Sequence, residues 1–364
     1  MENTDKVSLI FAAIDRHIVE SMPKLTQEEN RGKNYIQYGD GNDYPNYLWD
    51  LYNDVATLKT IIQGTANFVS GNDSRCNVPG FTRTLNHKGE TTRNIIRWIS
   101  RDWLIYGAFA LQVIRNAGGG IAEVNYVDVR YLRTNKKNEC FWYSEDFGKK
   151  YARTAKTIVY PKYIPGGDAP SSILYIKNDI GTTYPYPLYS GALKACEIER
   201  KIDEMHLNSL ENGFMGSYII NFLNGIPDPT LKAELEKQVN SKFCGTQNAG
   251  RVLLNFANGE ENAAKVERLD ITDFADKYKA AAERSRQQIY CSFQAIPQLF
   301  GNMTAATGFS EQEFKEAYNL YNGTVVRNIQ RIIGDAFDLI FQTANAITID
   351  PFSLEDNNVD ANVN

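Results

Sequence analysis

The sequence predicts an α+β fold in which two long, charge-covered helices flank a small inserted β-α-β-β unit. Three observations predict it. Apolar residues recur at helical spacing up to Tyr106 and alternate with period two after Gly107. Near the centre, seven of the thirteen residues Lys194–His206 are charged while the spacing stays helical. Strand and helix signatures then fill the interval before a second polar helix.

The elements follow in order. Ser8–Met22 places Ile10, Phe11, Ile14, Ile18 and Met22 near helical spacing. Tyr38–Pro45 is dense in turn formers. A helix is expected from about Asn46 to Ser70, striped by Leu48, Leu51, Val55, Leu58 and Ile62 and stopped by Gly71-Asn72. Another runs from Thr91 to Tyr106, with Ile95, Ile96, Ile99 and Trp103 on one face. Phe109, Leu111 and Val113 then alternate with their neighbours, and Gly118-Gly119-Gly120 turns the chain into a hairpin returning through Ile121–Val129. Cys140–Tyr143, Thr157–Ile164 and Ile173–Lys177 are further short strands, punctuated by prolines.

The first long polar helix is expected from about Leu188 to Glu211, stopped by Asn212-Gly213. Its apolar face is thin: Leu193, Cys196, Ile202, Met205 and Leu210. Such a helix needs solvent or neighbouring subunits around it. Tyr218–Phe222 reads as a strand, and Asp228-Pro229 starts a helix to about Phe243. Arg251–Phe256 and Val266–Leu269 are the remaining strands of the insert. The second long helix spans about Ile271–Phe293, and each of the pair is roughly 35 Å long. Gln298–Gly308 reads as a flexible loop, and Ser310-x-x-Glu313 as a capping box opening a last helix to about Thr343. Gly323 and Gly334 weaken that helix slightly, and 346–364 is expected to be a flexible tail.

Composition narrows the function. With 364 residues and 43% hydrophobic residues, the chain can bury a sizeable core. No apolar run approaches the roughly 20 residues that span a bilayer, and Met1–Lys6 does not resemble a signal peptide. The five cysteines are widely spaced, so reduced, mostly buried thiols are expected. A net charge of −5 argues against a protein that grips nucleic acid. A conduit lined with negative charge would instead let a duplex slide.

No catalytic, metal or cofactor site is expected. His17, His87 and His206 lie outside metal-ligand spacing of one another and of any cysteine. Asp40-x-Asn42-Asp43 lacks the glycine and glutamate of a calcium loop and reads as a surface turn. Neither GxxxxGK[ST] nor GxGxxG occurs, so the chain supplies no ATP chemistry itself.

Several segments resemble the portal proteins of tailed phages. Trp103–Ala110 resembles the family's "LLxYGNAY" segment, with Ala108 in place of Asn. Tyr186–Leu193 followed by a helix ending in Leu210-Glu-Asn-Gly213 is similar to its "SPL…A" helix ending in "FFxNG". Asn248–Leu254 is similar too, and Ala295–Gly301 resembles "GVPPxLLG", with Ala295 replacing Gly and Gln298 replacing Pro. No single motif decides, but their order over roughly residues 38–345 is specific.

The resemblance implies a portal-type fold and a ring, typically dodecameric, at one capsid vertex. Residues 1–187 and 309–345 would form the wing, 188–213 and 271–295 the stem, 214–270 the clip and 296–308 the tunnel loop. Asn302, Met303, Thr304 and Thr307 would face DNA, with Gly301 and Gly308 as hinges. Lys277, Lys279, Arg284 and Arg286 fit a solvated or inter-subunit face better than the lumen. The implied partners are a large terminase and head–tail adaptor at the clip, a major capsid or scaffolding protein at the wing, and non-specific double-stranded DNA in the channel. The implied setting is the virion, with assembly in the host cytoplasm and no membrane. The charges of the stem would pair between subunits. The alternatives are another connector or baseplate protein and a phage-encoded hydrolase, for which the sequence offers no clustered carboxylates or histidine site.

Overall fold

The computed structural model describes residues 25–28, 34–81, 83–148, 156–178, 181–211, 218–222, 228–231, 233–234, 252–256, 271–301 and 310–352. The chain divides into two compact units, residues 23–196 with 285–364, and residues 1–22 with 197–284. Both boundaries fall inside the long polar helices. The α+β class expected from the sequence is the class found. The expected helix in Ser8–Met22 lies outside the described residues.

In the larger unit, the helix expected from Asn46 to Ser70 is two helices, α1 (Tyr44–Asp54) and α2 (Ala56–Ser70). Val55 between them is extended, at φ −98° and ψ 106°. The break re-aims the axis without interrupting burial, because Leu48, Leu51, Val55, Leu58 and Ile62 are all fully buried. A third helix, α3 (Thr92–Tyr106), is capped by Thr91, whose hydroxyl accepts from the Asn94 amide, and ends at Gly107 in the left-handed region.

The period-two segment forms strands β2 (Ala108–Arg115) and β3 (Ile121–Val127), the expected hairpin. Strand β7 (Ser171–Lys177) pairs on the other side of β2, giving the antiparallel order β3-β2-β7. A second antiparallel sheet orders β4 (Leu132–Thr134), β5 (Cys140–Tyr143) and β6 (Ile158–Pro161).

Strand β1 (Asp73–Cys76) pairs antiparallel with β10 (Ile347–Asp350). The start of the expected flexible tail is therefore a strand. Gly71 explains how it docks: at φ +65° its missing Cβ would lie 2.0 Å from the Asp350 carbonyl oxygen. Residues 353–364 lie outside the described residues.

The first long helix, α4, spans Leu193–Glu211 and begins later than expected. Pro185 and Pro187 hold the preceding backbone, Ser190 N donates to Pro187 O at 2.9 Å, and Ser190–Ala192 is a single 3-10 turn. In the smaller unit, β8 (Tyr218–Phe222) and β9 (Val252–Phe256) pair in parallel, in register Tyr218↔Val252 to Phe222↔Phe256. A parallel pair requires a crossover. The Asp228 carboxylate accepts from the Thr230 and Leu231 amides at 2.8 and 3.1 Å, and residues 229–231 are helical. The expected strand Val266–Leu269 lies outside the described residues. The second long helix, α5, spans Ile271–Ser292.

The last helix is not uniform. Helices α6 (Glu311–Tyr321) and α7 (Arg327–Phe341) are joined by a π-helical turn, Asn322–Val326. Tyr321 and Val326 are both buried, at 1% and 0% exposure. A step of five residues on one face is what a π turn supplies and an α-helix does not.

Candidate functional site

The segment expected to face DNA lies between two fixed ends of the larger unit. The loop expected from Gln298 onward is ordered at its start: Pro297–Phe300 is a 3-10 turn, with Leu299 and Phe300 buried. Burying a leucine and a phenylalanine outweighs the turn-forming character of the flanking residues. Gly301 closes the turn in the left-handed conformation, φ 79°, and its amide hydrogen bonds to Gln298 O at 3.4 Å. At the far end Ser310 and Glu313 form the expected capping box. Asn302, Met303, Thr304, Thr307 and Gly308 lie outside the described residues.

The turn is held by aromatic packing. Phe300 meets Tyr321 edge-on at 5.5 Å between centroids and Phe68 at 6.1 Å. Tyr318 packs on Phe68 at 5.3 Å, and Phe352 packs on Phe68 at the same separation. The roots of the two long helices also meet: Tyr189, just before α4, stacks on Phe293, just after α5, at 5.2 Å.

Helix α4 presents a mixed surface. Glu197 pairs with Arg200 and Lys201 with Glu204, each at 2.9 Å and three residues apart. These four charges, expected to pair between subunits, pair along their own helix, since side chains three apart face each other. Between them Ile198 is 44% exposed and, further on, Leu207 is 57% exposed. Glu197, Ile198, Lys201, Ile202 and Met205 line a shallow groove on this face. Of the expected basic residues, Lys279, Arg284 and Arg286 are exposed on α5, and the side chain of Lys277 lies outside the described residues.

Two polar clusters were not legible in the sequence. Asp102 is fully buried; its Oδ1 accepts from Arg101 Nη2 at 3.1 Å and its Oδ2 from the Tyr126 hydroxyl at 2.8 Å. Burial pushes its pKa up to about 7, outweighing the downward pull of the Arg101 guanidinium. Arg101 and Arg130 both lie over the Trp49 ring, at 5.1 and 4.0 Å. Fully buried Arg133 donates to Asn42 Oδ1 at 2.5 Å and to the carbonyls of Asn42, Arg130 and Leu132 at 2.8 Å. The Asp40–Asp43 turn, expected on the surface, is thus anchored through a buried Asn42.

His87 bonds the Glu123 carboxylate at 2.8 Å, His206 is exposed, and His17 lies outside the described residues. Cys76 and Cys196 are buried, Cys140 is half-buried and Cys291 is exposed. Among the described residues no group of three or more His, Cys, Asp or Glu is placed to hold a metal ion, and no helix is long and apolar enough to cross a membrane.

No protein-family model matches the chain, and no curated protein sequence matches it. Solved structures do. The neck of the native GTA particle, computed with C12 symmetry, contains a chain matching 85% of this one over 84% of its own length, at TM-score 0.52 and 16% identity. This chain has the fold of that neck chain. The virion of the native gene transfer agent particle gives a similar match, covering 84% of this chain and 83% of that one at TM-score 0.50 and 16% identity. An HK97 family phage portal protein from Corynebacterium diphtheriae matches more loosely, at TM-score 0.48 and 10% identity over 83% of this chain and 93% of its own. The neck-chain fold thus extends over most of the chain.

Proposed function

We propose that this chain is a portal subunit: one copy of a closed ring at a capsid vertex, a passive conduit for double-stranded DNA, and not an enzyme. The observation that carries the reading is the fold shared over 85% of the chain with a neck chain from a C12-symmetric map. The ordered series of portal-like motifs supports it independently. So does α4, whose exposed Ile198 and Leu207 give neighbouring copies an apolar strip to cover.

In this reading residues 1–187 and 309–345 are the wing, 188–213 and 271–295 the stem, 214–270 the clip and 296–308 the tunnel loop. Asn302, Met303, Thr304 and Thr307 make transient, non-specific contacts with the DNA backbone, and Gly301 and Gly308 are the loop's hinges. The clip docks a large terminase and later a head–tail adaptor; the wing meets the major capsid or scaffolding protein. The protein assembles in the host cytoplasm and stays in the virion.

Deletion of residues 217–268 tests the assignment. It should leave the wing folded, with its cooperative thermal transition, and abolish DNA packaging. Packaging that survives the deletion contradicts the clip assignment.

A further inference from the structure

The helix pair α6–α7 carries one residue more than its packing needs. Tyr321 and Ile329 both face the core, at 1% and 5% exposure, and stand eight residues apart. At about 100° per residue, eight residues of α-helix overshoot two full turns by about 80°, whereas seven fall short by only about 20°. One residue must be absorbed between these two anchors, and the π turn Asn322–Val326 absorbs it.

The surplus residue can stand on either side of the core position that lies between the anchors. In the structure it stands before that position: Val326 is fully buried and Val325 half-buried. Placed after it, in a wide turn between Val325 and Ile329, the surplus would bring Val325 into the same pocket. Both positions carry the same side chain, so neither placement leaves a cavity.

The anchors are held from other elements, while the segment between them is not. The Tyr321 hydroxyl bonds that of Thr65 at 2.7 Å, and its ring meets Phe300 at 5.5 Å. Gly323, Thr324, Arg327 and Asn328 are exposed, and nothing lies within 4 Å of a Cβ built on Gly323. The Thr324 hydroxyl donates to Leu320 O at 2.9 Å, and the Asn328 amide donates to Thr324 O at 2.7 Å. Carbonyls of the wide turn are thus held by the segment's own side chains, which move with it.

We infer that the turn between α6 and α7 is a hinge whose surplus residue has two seats, one with Val326 in the core and one with Val325 in its place. Moving between seats re-aims α6 against α7 while Tyr321 and Ile329 stay packed. The use of this hinge in DNA retention rests on the portal reading; the two seats themselves do not.

The experiment uses the full-length chain as wild type, Val326→Ala, Val325→Ala, the double variant, Val325→Asn and a deletion of Gly323. Structures and thermal melts read the seats. In Val326→Ala, Val325 should fill the pocket and the wide turn should lie after it. Val325→Ala should melt close to wild type, and the double variant should lose more Tm than the two single variants together, because only it empties both seats. An unfilled pocket in Val326→Ala, with the wide turn unmoved and additive losses, overturns the inference. Retention of DNA in particles reads the use. Val325→Asn keeps the observed seat and bars the other with a polar group; deleting Gly323 leaves seven residues between the anchors, a plain α-helix with no surplus, and should raise Tm. Both should lower retention severalfold, and wild-type retention in both overturns the functional role. Should the deletion not fold, Val325→Asn decides alone. A wild-type chain that forms no ring fails the portal reading instead, and the Val326→Ala structure still decides whether there are two seats.

Discussion

Ile198→Asp is the substitution that probes the subunit contact most sharply. Ile198 sits on α4 at 44% exposure, in the groove with Ile202 and Met205. Burying a whole isoleucine contributes about 1.5–3 kcal/mol, so covering the exposed share contributes about 1 kcal/mol per contact. Aspartate forfeits that and places a carboxylate, already flanked by Glu197, against an apolar neighbour, which costs about 1–3 kcal/mol more. The total of about 2–4 kcal/mol weakens each subunit contact roughly thirty- to several-hundred-fold. In a closed ring every contact carries the loss. The folded subunit should hardly notice, since exposed substitutions change stability by about 0.5 kcal/mol or less. Mass photometry across a dilution series should show the variant dissociating at concentrations where the wild type stays assembled, with matching thermal melts. Rings that persist to the same dilution as wild type would refute the role given to this face.

Arg133→Met should destabilise the larger unit by about 3–4 kcal/mol, because three carbonyls and Asn42 Oδ1 lose a donor in a buried site. That is about 10 °C in Tm by differential scanning calorimetry, and Arg133→Lys should recover little of it because an ammonium cannot span the same fork. The Asp102 carboxyl, held at about 7 when folded and near the ordinary carboxylate value when unfolded, stabilises the fold most fully below the unfolded pKa and loses that contribution as pH rises through about 7. Melts from about pH 4.5 to 8 should therefore show wild-type Tm falling relative to Asp102→Asn as pH rises; a pH-independent difference would contradict the burial argument.

The sequence was most informative where one local rule dominated. The Ser310 capping box, the helix up to Tyr106, the hairpin around Gly118–Gly120 and the second long polar helix stand where spacing and caps put them, and the first long polar helix begins at Leu193, five residues later than expected. It was least informative where distant residues decide. Nothing local marks Val55 as a break or Asp73–Cys76 as a strand, since the first serves a buried stripe and the second exists only by pairing with Ile347–Asp350. The π turn Asn322–Val326 was not legible either, since Tyr321, Val325 and Ile329 continue a helical stripe across it. At the candidate site, the expected loop from Gln298 opens as a buried turn, because Leu299 and Phe300 pack inward where the turn-forming residues around them read as flexible. The Asp102 and Arg133 clusters were invisible because their partners lie on other elements and a lone charged residue in an apolar stretch carries no signature of them.

The central claim is that this chain closes on itself in many copies. Native mass measurement of the purified full-length protein, with negative-stain images of the same sample, tests it most directly. The account predicts a ring with an axial hole and a mass of about twelve times the 41.1 kDa of one chain. A compact, monodisperse species of single-chain mass under conditions that preserve virion assemblies would contradict it.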